Sequence, residues 1–175
     1  MSPFSRDSGR PLTPGERALA REALGNALDP EPVRLHRARW WPFQPSNVVM
    51  APDGGIWIPP GDLWRDDYAA TPLHLQALFV HELTHCWQVQ RGGPLYLLLM
   101  RHPFCRYGYR FRAGKPFRRY GIEQQAELVA HAFLLRRGRH VHAAPALAEL
   151  DALLTPFAQG ARADHGSDPR AGDRA

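Results

Sequence analysis

The spacing of apolar residues divides the 175-residue chain into helical stretches and one short region of strand-like alternation. Ala18, Leu19, Ala23, Leu24 and Leu28 recur at helical spacing behind Thr13-Pro14-Gly15-Glu16. That tetrapeptide reads as a capping box: Thr13 caps, Pro14 takes the first helical position and Glu16 reaches back. Pro30 is the expected stop. Val33 to Trp41 then alternates apolar and basic residues, as a strand with one wet face does. Asn47–Pro52 and Ile56–Ile58 flank Asp53-Gly54-Gly55, which has the turn chemistry of a hairpin, and Pro59-Pro60 ends the pattern. Residues 33–60 are therefore expected to form a small antiparallel sheet. Its edge, Ile56 to Ile58, is expected to be open to an extended peptide.

Helical periodicity returns at Thr71-Pro72, a cap followed by a first-turn proline. No Pro or Gly interrupts the chain from there to Arg91, so a helix of about 20 residues, roughly 30 Å long, is predicted. Gly92-Gly93-Pro94 ends it. Leu95 to His102 reads as a short buried element, and Phe104 to Tyr120 as an irregular loop. Helices are expected over Glu123–Arg137 and Ala144–Ala158. The domain division that follows is a flexible terminus over 1–11, one folded domain over 12–160 and a disordered tail over 161–175.

Composition narrows the class. Charged residues make up 22% and hydrophobic ones 44%, which is ordinary for one globular domain and leaves no room for a fibrous or largely disordered molecule. The net charge is +5, yet Lys115 is the single lysine among 22 basic residues. So uniform a bias can arise from nucleotide composition, and it weakens any inference of a nucleic-acid partner. Cys86 and Cys105 are too few for a disulfide scaffold and are read as reduced thiols, a bridge between them being the alternative. The longest apolar run, Leu95–Met100, is too short to span a bilayer, and Met1–Arg10 has no apolar signal core. The default expectation is a cytoplasmic protein, with export lacking an N-terminal signal left open.

The chemistry concentrates in His81-Glu82-Leu83-Thr84-His85, inside the long predicted helix. Residues four apart share a helix face, so His81 and His85 can aim two imidazoles at one cation. Glu82 stands one position on, beside such an ion, where it can take a proton from water. Two histidines so spaced around a glutamate are the mechanical signature of zinc proteases. A catalytic zinc site needs a third protein ligand and one open position. Glu123 and Glu127, again four apart on a predicted helix, are the candidates: one carboxylate binds the ion and the other receives a hydrogen bond from a ligand histidine. His74 lies near the same helix face as His81 and can line the cleft. His131 follows Glu127 by four and could stand behind the metal ligands, although an ordinary, partly exposed histidine is the preferred reading. Tyr107, Tyr109 and Tyr120 are candidate donors to an oxyanion.

Arg101 to Ile122 holds seven basic and six aromatic residues and no acid. Such interleaving can stack on bases. No nucleic-acid module surrounds it, so it is read as a loop packed over the metal cleft, aromatics inward and arginines outward.

The HExxH helix followed by a helix bearing E-x-x-A-E resembles the glutamate-type zincins. In those proteins the first Glu is the third ligand and the acid four residues later orients a ligand; carried over, the resemblance makes Glu123 the ligand and Glu127 the orienting group. The longer gap between His85 and Glu123 keeps Glu127 as an alternative ligand. Leu12-Thr13 with Glu16, Val33-Arg34-Leu35, Met50–Gly54, His81–Gln88 and Glu123–Glu127 together resemble a bacterial family of short zincin-like metallopeptidases, Vgr-related and close to the DUF4157-type peptidases found with secretion and toxin genes. The resemblance spans roughly residues 12–138. It implies an α+β, zincin-like fold, with a small antiparallel sheet packed on the metal-binding helix and a second ligand-bearing helix. It also implies zinc, a peptide or protein substrate and a secretion-system partner. Two other functions compete: a catalytically silent zinc-binding accessory protein of a secretion or toxin system, and a basic nucleic-acid-binding protein.

Overall fold

The computed structural model describes residues 9–93, 97 and 108–158. Helix α1 covers Pro14–Leu24 and begins on the expected capping box: Glu16 N donates to Thr13 Oγ1 at 3.0 Å, and Thr13 N donates to Glu16 Oε2 at 2.9 Å. It ends at Gly25, short of Pro30. Gly25 adopts φ +56° and donates its N–H to Arg21 O, a terminating geometry that a residue without Cβ takes at little cost.

The sheet departs from expectation in several respects. It is three-stranded, in the order β1 (Arg10–Pro11), β2 (Arg34–His36), β3 (Ile56–Trp57), and it is mixed, not antiparallel. β1 runs antiparallel to β2, so Arg10 and Pro11 are strand residues and not part of a flexible terminus. β2 and β3 are parallel. The expected hairpin survives as one antiparallel bridge, Met50 to Trp57, with N–H···O distances of 3.1 and 2.7 Å. That bridge has a further consequence: β3 has β2 on one side and Met50 on the other, so Ile56–Ile58 is not an open edge. The Val33–Trp41 strand shrinks to three residues because the chain turns away after His36.

Helix α2 spans Leu73–Gly92. Its cap differs from expectation. Thr71 Oγ1 donates to Tyr68 O at 2.6 Å, closing the preceding 3₁₀ turn (Tyr68–Ala70), and Pro72 takes the cap position. Every residue from Phe79 to Val89 is buried, so α2 is enclosed on all sides. Its polar residues in that span must therefore find partners inside the protein. Helix α3 (Ile122–Arg136) packs along α2, and α4 (Leu147–Ala158) closes the far side of α3. Leu24, Leu35, Ile58, Phe79, Leu83, Leu128, Phe133 and Leu150 form one core beneath sheet and helices. Among the described residues the result is an α+β fold of a small three-stranded sheet with the helices α1 to α4.

The loop before α3 turns Phe117 and Tyr120 inward and Arg110, Arg112, Arg118 and Arg119 outward. Phe117 does not cover the metal cleft; it packs on Trp87 and Phe157, with ring centroids 5.9 and 4.8 Å away. Cys86 is a buried free thiol in the core. Cys105, most of the Leu95–His102 segment and the tail lie outside the described residues.

Candidate metal centre

α2 carries His81 and His85 on one face because one turn of helix brings residues four apart together. α3, packed along that face, supplies Glu123. The three side chains converge: His81 Nε2 and His85 Nε2 are 3.2 Å apart, and Glu123 Oε2 is 3.4 Å from the first and 3.2 Å from the second. Donor atoms about 2.0–2.1 Å from one tetrahedral ion stand about 3.3 Å from each other. The spacing of the triad matches that edge on all three sides. His85 and Glu123 are 1% and 2% exposed, so these donors face each other away from bulk water. The residues present fit a divalent cation.

Each histidine presents Nε2 because its Nδ1 is committed elsewhere. His85 Nδ1 lies 2.8 Å from Gln88 Oε1. Gln88 Nε2 donates to Ile122 O at 2.9 Å and to Gln125 Oε1 at 3.0 Å, so the amide oxygen is the atom that faces the ring. An amide oxygen can only accept, which puts the His85 proton on Nδ1 and leaves a lone pair on Nε2. His81 Nδ1 lies 3.3 Å from Glu127 Oε1, which likewise accepts the Nδ1 proton and turns Nε2 toward Glu123. Glu127 Oε2 in turn lies 3.1 Å from His131 Nε2, and Tyr109 Oη is 2.8 Å from His131 Nδ1.

The electrostatics of the ion-free chain favour positive charge here. Burial opposes a charged His81 ring, but hydrogen bonds to Glu123 and Glu127 outweigh it and lift the ring's pKa to about 10. His131 and His81 hold the Glu127 carboxyl down at about 2. Burial, with Glu127 nearby, pushes Tyr109 up to about 12, so its hydroxyl keeps its proton.

In front of the triad lies a cleft of about 610 Å³, lined by His81, Glu82, Glu123 and Glu127. His74, exposed on the first turn of α2, also lines it. Tyr120 does not: its hydroxyl accepts from Arg112 N at 3.2 Å, and its ring lies 4.0 Å from Lys115 Nζ. Tyr109 is engaged with His131, two links from His81. Tyr107 lies outside the described residues. His131, expected to be an ordinary histidine, is instead a partner of Glu127. Gln88 and Gln125 went unrecognised in the sequence. The available signal was a glutamine one turn beyond His85, in a helix too buried to leave a polar side chain idle.

No family model matches the chain. A curated relative, the type VI secretion system spike protein VgrG2b of Pseudomonas aeruginosa, is 37% identical over 137 residues. Those residues are 73% of this chain and 13% of the relative, so the chain matches only a small part of that protein's length. A solved structure, the effector domain of Pseudomonas aeruginosa VgrG2b, superimposes with a TM-score of 0.69 at 29% identity and covers 88% of this chain and 86% of its own. The chain is thus a homologue of that effector domain. This is consistent with the reading the sequence placed second, a component of a secretion or toxin system, and shows no peptidase activity.

Proposed function

We propose that this homologue of a secretion-spike effector domain is itself an effector module that hydrolyses peptide bonds with a zinc ion held by His81, His85 and Glu123. The observation that carries the proposal is the near-equilateral set of three buried donors at 3.2, 3.4 and 3.2 Å. Their chemistry, two imidazoles and one carboxylate, is that of catalytic zinc sites with an open fourth position. Zinc bound there would polarise a carbonyl and acidify water. Everything else falls to the protein. Glu82 follows His81 on α2 and lines the same cleft, so its carboxylate can take the proton of an attacking water and return it to the departing amide nitrogen. Gln88 and Glu127 hold the two imidazoles with Nε2 forward. The fold, a short sheet beside two ligand helices, is read as zincin-like. The homology to a spike protein's effector domain supports delivery by a type VI secretion machine as part of this reading.

The geometry of the triad favours this over a silent accessory role, since three donors and an adjacent acid on an open cleft are what hydrolysis needs. Metal analysis of the purified chain and its Glu82→Gln and His81→Ala variants tests it. One zinc per chain is expected in the parent and in Glu82→Gln, with peptide hydrolysis abolished in the latter, and zinc lost from His81→Ala. Hydrolysis that persists in Glu82→Gln, or zinc content unmoved by His81→Ala, would overturn the assignment.

A further inference from the structure

The cleft has two kinds of lining. His81, Glu82, Glu123 and Glu127 supply its polar groups. Trp41, Val48 and Met50 from the segment before β3, with Ala77, Leu78 and Leu134 from the two ligand helices, supply apolar ones. Among the described residues, the large hydrophobic side chains left exposed are Trp40, Trp41, Phe43 and Val48, at 37%, 41%, 79% and 38%. All four fall within nine positions of sequence, and two of them, Trp41 and Val48, line this cleft. Scattered exposed apolar residues carry no message, but concentration beside a concave site does.

This segment is also anchored. Gln44, 2% exposed, accepts from Trp40 N at 2.8 Å and donates to Val48 O at 2.8 Å and Trp57 O at 3.2 Å. One buried amide thus ties both ends of the segment to each other and to β3. Phe43 packs edge-on against Trp41 with ring centroids 5.6 Å apart, backing the indole. A surface held this firmly has already met the ordering cost that binding would otherwise impose. Glu82, Glu123 and Glu127 line the cleft and neither Arg nor Lys does, so the cleft offers no guanidinium or ammonium partner to an acidic side chain.

We infer that residues 40–48 form a specificity pocket for a large apolar side chain, aromatic or Leu-like, of a polypeptide substrate, placed next to the bond that is cut. Trp41 and Val48 are its determining residues. This rests on the peptidase reading, and the test separates the two.

The zinc-loaded parent, Trp41→Ala and Val48→Ser are incubated with a randomised peptide library, and the cleavage products are sequenced. In parallel, zinc-loaded Glu82→Gln protein, with and without Trp41→Ala, is titrated with a labelled Ser–Ala dodecapeptide carrying one central Phe, and with its Asp counterpart. The parent should cut beside Phe, Leu, Met, Tyr or Trp. Trp41→Ala should lower kcat/KM for a Phe peptide about tenfold more than for the matched Ala peptide. The Phe peptide should bind the Glu82→Gln protein about tenfold tighter than the Asp peptide, and Trp41→Ala should erase the difference. Val48→Ser, with zinc content and thermal midpoint as checks on folding, should shift the preference in the same direction. An absence of residue preference, or one unmoved by both pocket variants, would overturn the pocket. No cleavage by the parent would instead count against the peptidase reading, and the binding titration would still decide the pocket.

Discussion

Gln88 Oε1 sits 2.8 Å from His85 Nδ1, and that one contact fixes which nitrogen of the His85 ring faces Glu123. Gln88 is itself held by Ile122 O and Gln125 Oε1, so the orientation of the His85 ring on α2 depends on α3. Replacing Gln88 with Leu removes the acceptor for the ring proton and leaves the Gln125 amide oxygen without its partner. Zinc affinity should fall about 10- to 100-fold, as measured by competition with a chromophoric chelator. An affinity equal to the parent's would show that the ring needs no such anchor.

His131 acts one step further out, through Glu127 on His81. His131→Ala should weaken zinc binding by less than the Gln88 variant does, by about 1 kcal/mol or less, because Glu127 keeps its contact with His81. Tyr109→Phe, which removes only the hydroxyl facing His131, should do less again. The same chelator competition ranks the three. Any other order would break the chain of contacts from Tyr109 to His81.

Glu127 predicts a pH dependence for the chelator-treated protein. Its folded pKa, about 2, is depressed from an ordinary value of 4.5. The unfolded chain therefore takes up a proton first as pH falls, and the contribution of Glu127 is present above about 4.5 and lost on the way down to about 2. The difference in thermal midpoint between the parent and Glu127→Gln should shrink across that window. A difference that stays constant from pH 5 to pH 2, roughly the span that brackets both values, would refute the assignment.

Away from the site, Glu16 is fully buried. It takes two hydrogen bonds of 2.7 Å from Arg10 and further ones from Thr13 N and Tyr68 N. One carboxylate thus joins β1, α1 and the turn that precedes α2. Glu16→Ala strands a guanidinium and two backbone donors, and a loss of about 3–5 kcal/mol in urea-unfolding stability is expected. Zinc stoichiometry at 25 °C should not change, since none of these groups touches the triad.

How far the sequence reached can be judged residue by residue. His81, Glu82 and His85 were legible because an uninterrupted helix turns spacing into direction, and the capping box of Thr13 and Glu16 was legible because its partners are three residues apart. Local chemistry of this kind needs no knowledge of the rest of the chain. The pairing of β2 with β3 was not legible: a parallel neighbour 21 residues away leaves no mark in either segment. Nor was the burial of Phe117 on Trp87 and Phe157, which three separate elements create.

The sequence by itself determined which side chains share a helix face, because an α-helix converts intervals of four into neighbours whatever surrounds it. Only the tertiary structure decided that Glu123 meets His81 and His85 while Glu127 stands behind His81, that His131 and Gln88 complete the two ends, and that Trp41 leans over the cleft. Those outcomes depend on how α3 and the segment before β3 dock against α2. Docking is set by the burial of side chains distant in sequence, and no local period encodes it.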